Sequence, residues 1–373
     1  MQIQWYPGHM TKARRAMKED MKLIDLVIEL VDARMPLESR NPDIDELAAG
    51  KSRLLLLNKA DLADETKNQR WIAYFAAEGI PAVEVNARSG AGLKQLTPLI
   101  QQVCQAKLER DRKRGIQNRP IRTMVVGIPN VGKSSFINSF AGRACAKTGN
   151  RPGVTKGNQW IRLNKTLELL DTPGILWPRF EDPQTGLHLA LIGSVNDEIL
   201  DREELALELI AFLDARYPQA LCERYGIGAG PEREADGKGG EKEGPDAGRA
   251  AEILSEIARA RGCLLKGQEL DSRKAAALLL DDFRAGRLGR ITLETPEEAG
   301  QRTQASYPDP DEKPKRAIQP GRNQEPKQAA RPNRSERPAQ AARPARNEKP
   351  KQAARPARSK RPKRRGGPHP GAS

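Results

Sequence analysis

The stretch Gly127-Ile128-Pro129-Asn130-Val131-Gly132-Lys133-Ser134 follows directly on an apolar run, Met124–Val126, and leads into a segment of helical composition, Ser134–Phe140. A Gly-Lys-Ser turn between a strand and a helix lets backbone N–H groups wrap an anion at a helix N-terminus, where unpaired donors and the helix dipole both favour negative charge. The chain is therefore expected to build a strand–loop–helix unit that cradles nucleotide phosphates. Within it Val131, Gly132, Lys133, Ser134 and Ser135 would line the phosphates, Lys133 reaching the β- and γ-groups and the Ser134 hydroxyl ligating Mg2+. A chance glycine-rich turn is the alternative.

Further apolar runs, Leu26–Val31, Leu54–Leu57 and Ala82–Val85, alternate with helical segments such as Glu65–Ala77 and Leu93–Leu108. Continuous apolar strands alternating with helices imply an α/β fold with a mainly parallel sheet covered on both faces. Gln159–Leu163 and Thr166–Leu170 read as a hairpin joined by Asn164-Lys165. Asp171-Thr172-Pro173-Gly174 ends its second strand, placing a carboxylate where it can hold Mg2+ through water and the Gly174 N–H where it can meet a γ-phosphate. Asn58-Lys59-Ala60-Asp61 ends the run Leu54–Leu57, at the strand edge where open α/β sheets bind ligands. Asp61 can accept both the ring N–H and the exocyclic amine of guanine, a donor pair that adenine lacks. A plain strand-end turn would also fit these four residues.

This set, with Asn58–Asp61 upstream of the phosphate loop and followed by Asn86-Ala87-Arg88, resembles the circularly permuted ribosome-assembly GTPases. Trp5–Met10, Gly262–Leu265 and Lys274–Arg290 extend the resemblance over about residues 1–290. The resemblance implies a circularly permuted P-loop GTPase domain over 1–180, a helical RNA-binding domain over 185–297, bound GTP or GDP with Mg2+, and the large ribosomal subunit with its rRNA as partner. It gives Ala87 a main-chain contact to the guanine O6, although Asn86 and Arg88 depart from the usual Ser-Ala-Lys. Within Arg151–Thr155, Thr155 would close on Mg2+ and the γ-phosphate when GTP is bound. An ordinary flexible loop is the alternative there. Ile175 follows Gly174 where Ras-like enzymes carry a water-orienting glutamine, and His9 is the candidate substitute. His9 could instead cap the adjoining helix or meet rRNA. Asn130 matches the asparagine that holds K+ in potassium-stimulated relatives, and it also fits a turn former.

Two segments lie outside the resemblance. Residues 226–248, rich in Gly, Glu, Lys and Asp, are expected to bury little. Residues 298–373 read as a disordered basic tail, with Lys-Gln-Ala-Ala-Arg-Pro at 327–332 and again at 351–356. From 301 on there are 20 Lys/Arg against 6 Asp/Glu, so the tail carries +14 of the net charge of +15. With the basic helix 11–22 and the segment Lys107–Arg122, this points to nucleic acid.

Cys104, Cys145, Cys222 and Cys263 are widely spaced, as expected for free thiols in a reducing compartment. No run approaches the roughly 18 apolar residues of a membrane span. A cytoplasmic monomer is expected that hydrolyses GTP, stimulated by the ribosome, binds the maturing large subunit and is released on hydrolysis. The rival readings are an RNA-binding assembly chaperone with guanine nucleotide as a structural ligand, and a P-loop ATPase or kinase, against which Asp61 argues.

Overall fold

Parallel strands dominate a computed structural model that describes residues 6, 8–116, 119–146, 158–180, 182–227 and 247–299, without the side chains of His9 and Ala247. Helix α1 (Gly8–Asp20) precedes strand β1 (Leu26–Asp32), and α2 (Asp43–Leu47), β2 (Ser52–Asn58), α3 (Glu65–Ala77) and β3 (Ala82–Val85) follow. Helices α4 (Leu96–Val103) and α5 (Gln105–Lys113) lead to β4 (Ile121–Gly127), α6 (Lys133–Ala141) and the hairpin β5 (Gln159–Arg162) and β6 (Leu167–Asp171). Only helices come after: α7 (Pro183–Leu191), α8 (Arg202–Arg216), α9 (Pro218–Tyr225), α10 (Ala247–Ala260) and α11 (Ser272–Arg284).

The six strands form one sheet in the order β3-β2-β1-β4-β6-β5, antiparallel only between β5 and β6. Chain order runs outward from β1 to β3, then returns to its other side at β4. That reversal opens a crevice beyond the strand C-termini, where such sheets bind ligands. Register brings the motifs to this edge: Asp32 lies opposite Asn58, Asn58 opposite Val85, Leu30 opposite Gly127 and Val125 opposite Asp171.

Burial on both faces follows from the apolar runs. Leu54 and Leu56 join one core while Leu55 and Leu57 pack with Trp71 and Phe75 of α3, as the two-residue period of a strand requires. Asp64 caps α3 by accepting from the Lys67 N–H at 3.1 Å. Glu29 of β1 is a carboxyl buried in the sheet, whose Oε2 accepts from Arg53 at 2.9 Å and lies 3.4 Å from Arg40. Burial raises its pKa against the pull of both arginines.

In the helical part Leu205, Leu209 and Leu213 of α8 meet Ile253, Leu254 and Ile257 of α10 and Ala276, Leu279, Leu280 and Phe283 of α11 in one apolar core. Asp282 is fully buried among Arg224 Nε (2.6 Å), Tyr225 Oη (3.0 Å) and Arg287 Nε (2.5 Å). After α11 the chain runs back along the sheet edge. The Ile291 N–H donates to the Leu62 carbonyl at 3.0 Å, Leu293 N–H to Arg34 at 2.7 Å, and Trp71 Nε1 to Glu294 at 3.3 Å.

Several expectations change. Leu93–Leu108 is a 3-10 turn and two helices, broken at Cys104. The basic helix starts at Gly8, and Ile227 is buried although the 226–248 segment was expected to bury little. Residues 228–246, the loop containing Thr155, and the tail from 300 lie outside the described residues. All four cysteines are free thiols. Among the described residues no helix is long and apolar enough to cross a membrane.

Candidate functional site

The loop after β4 takes its shape from positive backbone angles at Gly127 (φ 149°), Asn130 (φ 57°) and Gly132 (φ 103°). Two of these glycines are also required by close approach. A Cβ on Gly127 would lie 2.5 Å from the Leu30 carbonyl oxygen, and one on Gly132 would collide with Asn58 Nδ2. No side chain caps α6 at Gly132, so its first N–H groups, at Lys133, Ser134 and Ser135, have no acceptor within the helix and could take phosphate oxygens.

Lys133 folds into this loop, its Nζ donating to the carbonyls of Ile128 at 2.8 Å and Gly127 at 3.0 Å. Burial pushes its ammonium down to about 8, with the Asp171 charge opposing. Asp171, the last residue of β6, is raised in turn by burial, while Lys133 and a hydrogen bond from the Ser134 hydroxyl pull it down. Its Oδ1 is buried without a hydrogen-bond partner. An orphaned carboxylate oxygen next to a serine hydroxyl suits a hard divalent cation such as Mg2+. Among the described residues no group of three or more His, Cys, Asp or Glu could hold a metal by itself. Phosphate oxygens and water would have to complete the coordination.

Gly174 packs directly on the phosphate loop. A Cβ there would lie 2.7 Å from Pro129 Cα and 2.8 Å from Lys133 Nζ. Ile175 beside it is buried, and its carbonyl accepts from Asn41 Nδ2 at 3.3 Å. The position of a water-orienting glutamine is thus an inward-packed aliphatic.

Asn58 joins three motifs. Its Nδ2 donates to the Val131 carbonyl at 2.7 Å and its Oδ1 accepts the Ala87 N–H at 2.9 Å. Ser139 Oγ of α6 donates to the Ala87 carbonyl at 2.5 Å. Asn86 turns the chain by accepting the N–H groups of Arg88 (2.9 Å) and Ser89 (3.0 Å). The Ala87 N–H expected at the guanine O6 is therefore already engaged by Asn58, and a base contact would have to share it. Lys59 is left-handed (φ 61°), and Asp61 is exposed in the 3-10 turn Ala60–Leu62.

Sequence reasoning missed what holds Lys59. Its Nζ donates to Asp32 Oδ2 at 2.8 Å, and Arg34 grips both oxygens of Asp32 at 2.8 Å. Arg34 and Asp32 are buried, and their pairing keeps Asp32 far below the usual carboxylate range despite desolvation. An acid and an arginine two residues apart at the end of an apolar strand were the available signal. Asn130 Nδ2 donates to the Gly193 carbonyl at 2.7 Å, a tie to the helical part that its K+-binding expectation did not include. His188 is buried against Glu38, its Nδ1 2.5 Å from Oε2. The side chain of His9 and all of Thr155 lie outside the described residues.

A family model described as "50S ribosome-binding GTPase" matches residues 122–216. Ribosome biogenesis GTPase A of Bacillus cereus is 46% identical over 304 residues, covering 82% of this chain and 97% of its own. That of Thermotoga maritima is 30% identical over 296 residues, 79% and 95% of the two chains. Among solved structures, GNP-bound YlqF from T. maritima aligns with a TM-score of 0.51 at 27% identity, over 77% of this chain and 99% of that one. Its GDP-bound form gives 0.50 at 26% identity, over 75% and 99%. The phosphate loop after β4, the guanine motif two strands earlier in the chain and these relatives converge: the chain belongs to the ribosome biogenesis GTPase A family, circularly permuted GTPases of ribosome biogenesis.

Proposed function

We propose that this GTPase docks on the maturing large ribosomal subunit in its GTP form and leaves when the nucleotide is hydrolysed. The contact of Gly174 with Pro129 and Lys133 carries the reading. Beyond it the chain passes through buried Ile175 and Leu176 straight into α7 and the helical part. A γ-phosphate seated between Gly174 and the phosphate loop would shift this connection, so nucleotide state biases the helical part.

In this reading Asp61 accepts from guanine, and Asn58, Lys59, Asn86, Ala87 and Arg88 shape the base pocket. Val131, Gly132, Lys133, Ser134 and Ser135 hold the phosphates. Ser134, Asp171 and Thr155 would hold Mg2+, which supplies charge neutralisation on the β- and γ-phosphates. Asn130 would hold K+, and the Gly174 N–H would meet the γ-phosphate. His9 orients the attacking water, because the buried Ile175 side chain cannot. The product is GDP and phosphate, with turnover stimulated by the ribosome.

Exposed Lys12, Arg15 and Lys18 on α1, Lys22 just after it, Arg110, Arg112 and Lys113 on α5 and Arg114 at its end supply cationic surface for rRNA, together with the tail and a helical RNA-binding domain over 185–297. The buried Ile175 also supports a second reading, an RNA-binding assembly chaperone in which the nucleotide is mainly structural. Sedimentation with separated ribosomal subunits, in GDP and in a non-hydrolysable GTP analogue, tests both. Retention on the large subunit with the analogue alone is expected; equal retention in both states would favour the chaperone.

A further inference from the structure

The end of α11 carries no nucleotide motif, yet chains of hydrogen bonds link it to both loops that would hold one. Toward the phosphates, Arg284 donates Nη2 to the Ala190 carbonyl at 2.8 Å and Nε to Leu191 at 3.0 Å, and pairs with Asp197 at 2.7 and 2.9 Å. Those carbonyls are the last two of α7, where a cation offsets the negative end of the helix dipole. The guanidinium also lies against Gly193 (φ 79°), where a Cβ would come 3.4 Å from Nε. Arg284 thereby fixes the turn at 193–194.

That turn in turn fixes the phosphate loop. The Gly193 carbonyl accepts from Asn130 Nδ2 at 2.7 Å, and Ser194 Oγ donates to the Pro129 carbonyl at 2.8 Å. Ser194 is fully buried. Asn130 stands in the left-handed region (φ 57°), which asparagine tolerates better than most L residues, and these two bonds tie it and Pro129 to the 193–194 turn. Toward the base, the neighbouring Phe283 carbonyl accepts from Arg34 Nη1 at 3.4 Å, and the Arg34 guanidinium lies 5.1 Å from the Phe283 ring centroid. Arg34 holds Asp32, and Asp32 holds Lys59.

We infer that Arg284 and Ser194 are positioning residues for the phosphate loop, through which displacement of α11 speeds nucleotide release. The inference rests on the assignment of Gly127–Ser135 as the loop that holds the phosphates. A partner that pulls on α11 would loosen the nucleotide without touching it.

The test is stopped-flow release of a fluorescent GDP from the full chain, with thermal unfolding recorded with and without saturating GDP. Ser194→Ala should release GDP about fivefold faster, the loss of one buried hydrogen bond. Arg284→Gln should release it about tenfold faster, and Arg284→Lys should recover part of the difference. Both Ser194→Ala and Arg284→Gln should also show a smaller GDP-induced rise in Tm, which a purely structural role would leave unchanged. Wild-type release rates in Ser194→Ala, or an unchanged GDP-induced rise, would overturn the inference even if Arg284→Gln proved too unstable to study. Lys133→Ala separates the underlying assignment: undiminished GDP affinity in that variant would mean the loop does not hold the phosphates.

Discussion

The side-chain amide of Asn58 donates to the main-chain carbonyl of Val131 at 2.7 Å, so the strand-end motif of β2 and the phosphate loop after β4 are joined by one side chain. The same amide accepts from Ala87, and both partners lie away from water.

Asn58→Ala should therefore weaken GDP more than the loss of a surface contact would. Two buried main-chain groups lose their partner, at about 1–3 kcal/mol. A ten- to hundredfold rise in Kd is expected by fluorescence titration, with little change in the far-ultraviolet spectrum. A Kd within twofold of wild type would show that the bridge is dispensable.

Base choice should follow Asp61. Its side chain is exposed in the turn after β2, and Asp61→Asn replaces an acceptor pair by one acceptor and one donor. Xanthine nucleotides should then compete with GDP at least tenfold better than against wild type. Unchanged competition, or ADP competing as well as GDP, would rule out the assignment.

For His9, the expected result of His9→Ala is ribosome-stimulated turnover lower by an order of magnitude or more, with GTP affinity intact. Single-turnover hydrolysis measures this, and replacing K+ by Na+ in the same assay reports on Asn130. An unchanged rate in His9→Ala would return that residue to a capping or contact role.

Lys133 gives a pH signature. Its folded pKa is depressed to about 8 by burial, against about 10.4 for an exposed lysine. Between these values the unfolded chain binds more protons, so this group makes nucleotide-free stability rise with pH; below about 8 its cost is constant. Relative to Lys133→Met, the wild type should gain on the order of 2 kcal/mol across that window in urea unfolding. Saturating GDP should flatten the difference, because phosphate keeps the ammonium charged. Parallel pH profiles for the two proteins would refute this.

Deleting 301–373 removes +14 of charge. If the tail contacts rRNA, fewer counterions are released on binding, and log K should fall less steeply with log salt. Filter binding to rRNA at several salt concentrations measures the slope, and an unchanged slope would mean the tail is not in contact.

Most of the scaffold can be read from local pattern. β3 and α3 occupy the segments that apolar runs and helical composition mark, Ala82–Val85 and Glu65–Ala77. The placement of Asn58 and Asp171 at strand ends follows from the same reading, because a buried parallel strand ends where its apolar run ends. The break at Cys104 escapes notice because no Gly or Pro marks it; the residue is buried, while the next helix buries none of its own. The grip of Arg34 on Asp32 and the tie of Asn130 to Gly193 escape for another reason. The first joins residues only two apart, but its reach to α11 through the Phe283 carbonyl, like the tie of Asn130 to the turn after α7, depends on a partner brought from a distant segment, and short-range periodicity carries no record of such meetings.

Residues 286–294 continue past the last helix and finish the wall of the sheet domain. Gly286 (φ 72°) lies so close to Leu62 that a Cβ would strike it, Leu293 takes the Arg34 carbonyl, and Glu294 accepts from the Leu37 N–H. The helical part is consequently not an accessory that can be cut away or transplanted. A chain stopped before Gly286 would leave the Leu62 and Arg34 carbonyls and the Trp71 indole without the partners they have here. Any shuffling of this fold has to carry both halves as a single inheritance.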